Sequence, residues 1–102
     1  MALLQANKDL ISTGMKEFSI LLNQQDMRDN PIPEEAMVIV VNDWMSFYIN
    51  YYRQKMTGEQ QEQDRALQEL QQGLNTLANP FLTKYRDFLK TLSSLSKLLE
   101  SS

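Results

Sequence analysis

The sequence predicts an all-α protein, an elongated antiparallel three-helix bundle. Apolar residues recur at helical spacing, with no strand-like alternation anywhere. Only three Gly and three Pro punctuate the chain, and they divide it into three long helical patterns. Its 102 residues suffice for one domain with one modest core and are too few for two.

The first pattern covers about residues 3–25. Leu4, Ile11 and Phe18 repeat at a period of seven, as do Met15 and Leu22, with Leu3, Leu10 and Leu21 beside them. Gly14 inside it costs roughly 1 kcal/mol against Ala unless close helix packing recovers it. The break is "DMRDNPIPEE", Asp26 to Glu35, where two X-Pro steps disfavour helix at Asn30 and Ile32. Most such loops are only turns, but Asn30-Pro31 is also a step that populates cis and trans isomers.

Pro33 suits a first helical position, and Glu34 and Glu35 complement the positive end of the helix dipole. The second helix therefore reads from about residue 33 to 57, with Gly58 as a left-handed stop. The third reads over about residues 59–90 through Leu67, Leu70, Leu74, Leu77, Phe81, Tyr85 and Phe88. Pro80 lies inside it and predicts a kink rather than a stop. Residues 1–90 thus form a single bundle. The tail, 91–102, reads either as a continuation through Leu92, Leu95 and Leu99 or as a Ser-rich frayed end.

Composition removes several function classes. The net charge of −3 argues against nucleic acid, which selects a clustered basic footprint. Without Cys there are no disulfides and no thiol catalysis; without His the commonest general base and transition-metal ligand are gone. No metal or cofactor site is expected, and a protein-supplied haem ligand would have to be Met or Tyr. Glu34 and Glu35 have no base-orienting partner, and the Glu and Gln from Glu59 through Glu69 read as a solvated face, so no enzyme is expected. The longest apolar run, Met37 to Val41, is too short to span a bilayer, and no signal peptide opens the chain. The expectation is a soluble, intracellular protein.

The second helix, "NDWMSFYINYYRQKM" at its centre, is apolar over more of its circumference than one stripe. Met37, Val41, Trp44, Met45, Tyr48 and Tyr52 gather on one face, enough to pack against two neighbours. Val40, Phe47 and Tyr51 form a separate flank bordered by Asp43 and Gln54. Ile39 is an apolar exception on an otherwise polar arc. The flank reads in two ways: as a wider core, the commoner outcome for aromatics at helical spacing, or as an exposed contact surface.

The runs "NKDLIS.G.KEF", "LLNQQ", "DW...FYINYYRQ", "TGE", "ALQEL" and "LNTLANPFL.KYRDFLK", spread over about residues 1–90, closely resemble the alpha-haemoglobin-stabilising protein family, erythroid chaperones of free alpha-globin. The resemblance implies an elongated three-helix bundle that binds one alpha-globin chain through the first helix, the following loop and the second helix. The covered globin surface, its G and H helices, overlaps the one used by beta-globin, which displaces the chaperone. The third helix supports the bundle from the far side. The implied contact residues are Val40, Phe47 and Tyr51, with Asp43, Asn50, Gln54 and Met56 near them, and Gln25, Asp29 and Pro31 from the first helix and loop.

The resemblance further implies a cytoplasmic, erythroid protein without cofactor, which limits haem-driven oxidation by steering the haem toward coordination by the globin's own histidines. In a His-free chain that effect is indirect. The sequence departs from the family at Asp29-Asn30-Pro31, where an Asp-Pro step is common, at Asp26-Met27, in place of a Val-Phe pair, and in the tail after Lys90. Another function class stays open on the residues alone: a helical module that self-associates through the aromatic flank. A membrane-surface module fits less well, because such helices carry a basic polar face.

Overall fold

A computed structural model describes residues 3–29 and 31–101. Among these the chain forms three α-helices and no strand: α1 (Gln5–Asn23), α2 (Glu34–Arg53) and α3 (Gln60–Ser101). All three agree in order and type with the periodicity, and α1 falls within two residues of its expected ends. Asn30, and with it the Asn30-Pro31 step, lies outside the described residues.

The loop and turn contacts fix the directions. Asn7 near the start of α1 bonds Thr57 beyond the end of α2, and Tyr85 late in α3 bonds Ile32 just before α2. α2 therefore runs antiparallel to both α1 and α3. Phe18, Leu22, Val41, Tyr52, Leu70, Leu74 and Phe81 form the core, with Met37, Trp44, Met45 and Tyr48 packed against it. Of the expected α2 core stripe, Val41 and Tyr52 are buried outright, while Met37, Trp44, Met45 and Tyr48 are half-buried. Gly14 meets the condition of close helix packing that its cost required. A Cβ there would lie 3.1 Å from both Leu70 Cδ1 and the Tyr52 ring, so the bare backbone lets α1 approach both other helices.

The second helix begins and ends differently from its pattern. Pro33 stands just before it as the N-cap, with Glu34 and Glu35 in the first turn. It stops at Arg53, one turn before the expected end at residue 57. The Tyr52-to-Met56 spacing continues the helical period. Instead, the Lys55 and Met56 amides both close on the Tyr52 carbonyl at 3.0 and 3.1 Å, and Met56 folds into the core. Gly58 then takes the left-handed conformation, φ 94°, but within the connecting turn rather than as the cap of α2. At the start of α3 the Glu59 amide donates to Glu62 Oε2, a capping-box bond.

Pro80 does not stop α3, which continues through it. The tail adopts the first of its two expected readings: α3 runs unbroken to Ser101, 42 residues in all. At about 1.5 Å per residue such a rod is about 63 Å long, and the molecule measures 65 × 21 × 17 Å. The elongation is therefore that of α3. α1 and α2, half its length, lie along its first two thirds, and residues 90–101 project beyond them, exposed.

Candidate partner-binding surface

The flank of α2 faces outward. Phe47 is 67% exposed and Tyr51 48%, against 0% for Val41 and 2% for Tyr52 on the core side of the same helix. The two readings of the flank are thereby separated: these rings do not widen the core.

They are nevertheless held. Phe18, buried in α1, meets Tyr48 edge-on with ring centroids 5.5 Å apart, and Tyr48 lies parallel to Tyr52 at 6.5 Å. From this inner pair the outer rings stand off at right angles, Phe47 on Tyr48 at 6.0 Å and Tyr51 on Tyr52 at 5.1 Å. Phe47 and Tyr51 lie parallel to each other at 6.5 Å, and Lys55 Nζ sits 5.0 Å over the Tyr51 ring. The ladder carries rigidity from the core to the surface, which lowers the ordering cost a partner must meet.

Its inner rung is tied to α1 by a polar contact. The Tyr52 hydroxyl donates to Glu17 Oε1 at 2.8 Å. Burial, reinforced by that bond and by the Glu17 charge, pushes the Tyr52 phenol far above its usual value. Tyr48 is raised too, by burial and then by the Glu17 charge.

Around the rings, Asp43 and Gln54 are exposed, as the border of an apolar patch should be. Asn50 is exposed as well but lines a shallow groove between α2 and α3 with Ser46, Arg53 and Gln71, at the edge of the flank. Val40 is half-buried and leads into a notch of about 180 Å³ that it shares with Gln25, Asp29, Ile32, Trp44 and Tyr85. The loop, α2 and α3 thus meet at one place; Gln25, expected on the first helix, lies two residues beyond the end of α1 at Asn23. Gln25 is held by its amide to the Leu21 carbonyl at 3.0 Å. The loop turns tightly because Asp26 Oδ1 accepts the Arg28 amide at 2.9 Å, which holds the Asp26 carboxyl below its usual range. Pro31 is exposed and does not line the notch, though Ile32 next to it does.

Met56 is a correction. Placed near the surface by resemblance, it is only 5% exposed and belongs to the core, because the chain turns inward after α2 ends at Arg53. Ile39 is an addition. At 61% exposed, one turn before Asp43, it extends the apolar surface along α2. An isoleucine in a polar arc was the available signal, and it reads as an exception only when taken alone.

Residues 5–91 match the family described as alpha-haemoglobin stabilising protein. The chain belongs to that family. The alpha-hemoglobin-stabilizing protein of Homo sapiens is 74% identical over 91 residues, 89% of either chain. That of Bos taurus is 68% identical over 91 residues, 89% of this chain and 99% of its own. That of Mus musculus is 58% identical over 102 residues, the whole of both. The match to the alpha-haemoglobin stabilising protein family ends near the point where α3 leaves the body of the bundle, so the aromatic flank and the notch lie inside it and the projecting end lies outside.

Proposed function

We propose that this protein is a chaperone of free alpha-globin, binding one globin chain through the α2 flank and the notch. The observation that carries the reading is the exposed Phe47–Tyr51 pair, fixed on a buried aromatic ladder, in a chain of this family.

Magnitudes support a small number of anchors within a wider footprint. Two rings exposed to this degree present roughly 200 Å² of aromatic surface. At about 25 cal/mol per Å² that is about 5 kcal/mol gross, comparable to the cost of association alone. A stable complex therefore needs the surrounding contacts, about 800 Å² on each partner. Ile39, Asp43, Asn50 and Gln54 along α2, with Gln25 and Asp29 at the notch and Pro31 on the loop, supply a rim of that kind.

The function is capture. Alpha-globin without its partner exposes the apolar surface that beta-globin covers, and exposed patches of that size invite aggregation. Burying it depopulates the open and misfolded forms by mass action. Because the covered surfaces overlap, beta-globin displaces the chaperone during haemoglobin assembly. Limiting haem-driven oxidation follows from shifting globin helices between two arrangements, since the chain has no His to offer the iron. The site of action is the cytoplasm of erythroid cells.

Titration calorimetry with isolated alpha-globin and, separately, isolated beta-globin tests this. The expected result is saturable one-to-one binding to alpha-globin and none to beta-globin. Equal heats with both, or a chain that binds only its own copy in sedimentation, would refute it.

A further inference from the structure

We infer that Tyr85, on the helix away from the proposed contact flank, is a positioning residue for globin capture: its hydroxyl clamps the loop that forms the notch. The inference rests on the proposed alpha-globin reading and adds a role for α3 beyond supporting the bundle.

The geometry is specific. Tyr85 is 1% exposed, and its Oη both accepts the Ile32 amide at 2.7 Å and donates to the Ile32 carbonyl at 2.7 Å. One hydroxyl thus satisfies both backbone groups of a residue flanked by two prolines, where no regular structure serves them. Among the described residues these are the only hydrogen bonds between the loop and α3. One residue on, Arg86 Nε reaches Glu34 Oε1 at 2.7 Å, so α3 grips the chain on either side of Pro33. The Tyr85 ring lines the same notch as Gln25, Asp29 and Val40.

The consequence is positional. The remaining loop bonds are local, such as the Asp29 amide to the Asp26 carbonyl at 3.1 Å, and fix the turn's shape without fixing where it sits. Tyr85 fixes the loop against α3, on which α2 also packs, and hence whether Asp29 and Phe47 engage one rigid partner together. A small displacement there costs affinity without unfolding anything, because preorganisation is lost while the helices stay packed.

The test is Tyr85→Phe in the full chain, which keeps the ring and removes only the hydroxyl. Binding of isolated alpha-globin should weaken at least fivefold at a temperature where circular dichroism shows the variant fully folded. A double-mutant cycle supplies the readout that general destabilisation would not give. Tyr85→Phe should be non-additive with Asp29→Ala, on the loop, and additive with Phe47→Ala, on the helix. Amide exchange on the unmodified chain is independent of the variant's folding: the Ile32 amide should be protected as α3 core amides are. Wild-type affinity in the folded variant, additivity with Asp29→Ala, or unprotected exchange at Ile32 would each overturn the clamp. Failure of the wild-type chain to bind alpha-globin would instead sink the proposed function, so the two are told apart.

Discussion

Phe47 and Tyr51 stand one helical turn apart with parallel rings, 6.5 Å between centroids and 13° between planes, on the outside of the bundle. Each is braced edge-on by an inner tyrosine, which ties the exposed pair to the core beneath it. Truncating Phe47 to Ala removes a central anchor and should cost about 2 kcal/mol or more in alpha-globin binding. The melting temperature should move little, because two thirds of the side chain is already in water. Paired calorimetry and thermal melts on one preparation check both halves.

Raised pH should loosen the inner rung. The folded-state pKa of Tyr52 lies above the ordinary phenol value of 10.0, chiefly through burial, so its neutral form is the one the fold prefers. That stability is complete below pH 10 and is lost as pH climbs from there toward the folded value. The unfolded chain releases its proton first, at a slope of about 1.4 kcal/mol per pH unit for one group. Urea melts between pH 9 and 11 should show the decline. In Tyr52→Phe it should be shallower, the remainder belonging to Tyr48, which shifts the same way.

Asn7 holds the opposite end of the bundle. Fully buried, it donates to the Thr57 carbonyl at 2.9 Å and accepts the Thr57 amide at 2.9 Å, bonding the turn as a neighbouring strand would. Asn7→Ala strands both backbone groups and should cost about 2–3 kcal/mol of folding free energy. Chemical denaturation measures it directly. Alpha-globin affinity at low temperature should fall far less than in Phe47→Ala, since the Asn7 bonds are to Thr57, beyond the flank and far from the notch.

Removing residues 92–101 should leave the bundle intact. Leu92, Leu95, Leu98 and Leu99 are 36–77% exposed and bury little against the body. Far-UV circular dichroism should fall in proportion to the helix removed, while the melting temperature changes by no more than about 2 °C, as expected for surface segments.

What the sequence revealed and concealed follows from the range of each interaction. The helices were legible because their signal is local and periodic. Phe47 and Tyr51 could be set apart from Val41 and Tyr52 by angle alone, though the angle could not say whether α1 or α3 covered them. The end of α2 is hidden in the sequence because Tyr52 and Met56 keep helical spacing while the chain between them leaves the helix at Arg53. The two clamps were invisible for a different reason. Asn7 meets Thr57 fifty positions away, and Tyr85 meets Ile32 at fifty-three, and neither residue type announces such a partner. The tail was undecidable in sequence because leucine spacing favours helix and serine content favours fraying.

The central claim is that the outward flank of α2 and the notch beside it form the surface for alpha-globin. Backbone and side-chain NMR shifts of the labelled chain, followed as unlabelled alpha-globin is added, measure this most directly. The largest changes should fall at Val40, Asp43, Phe47 and Tyr51 and at Gln25 and Asp29. Changes concentrated on the projecting end of α3, from Leu92 to Leu99, with Phe47 and Tyr51 unmoved, would contradict it.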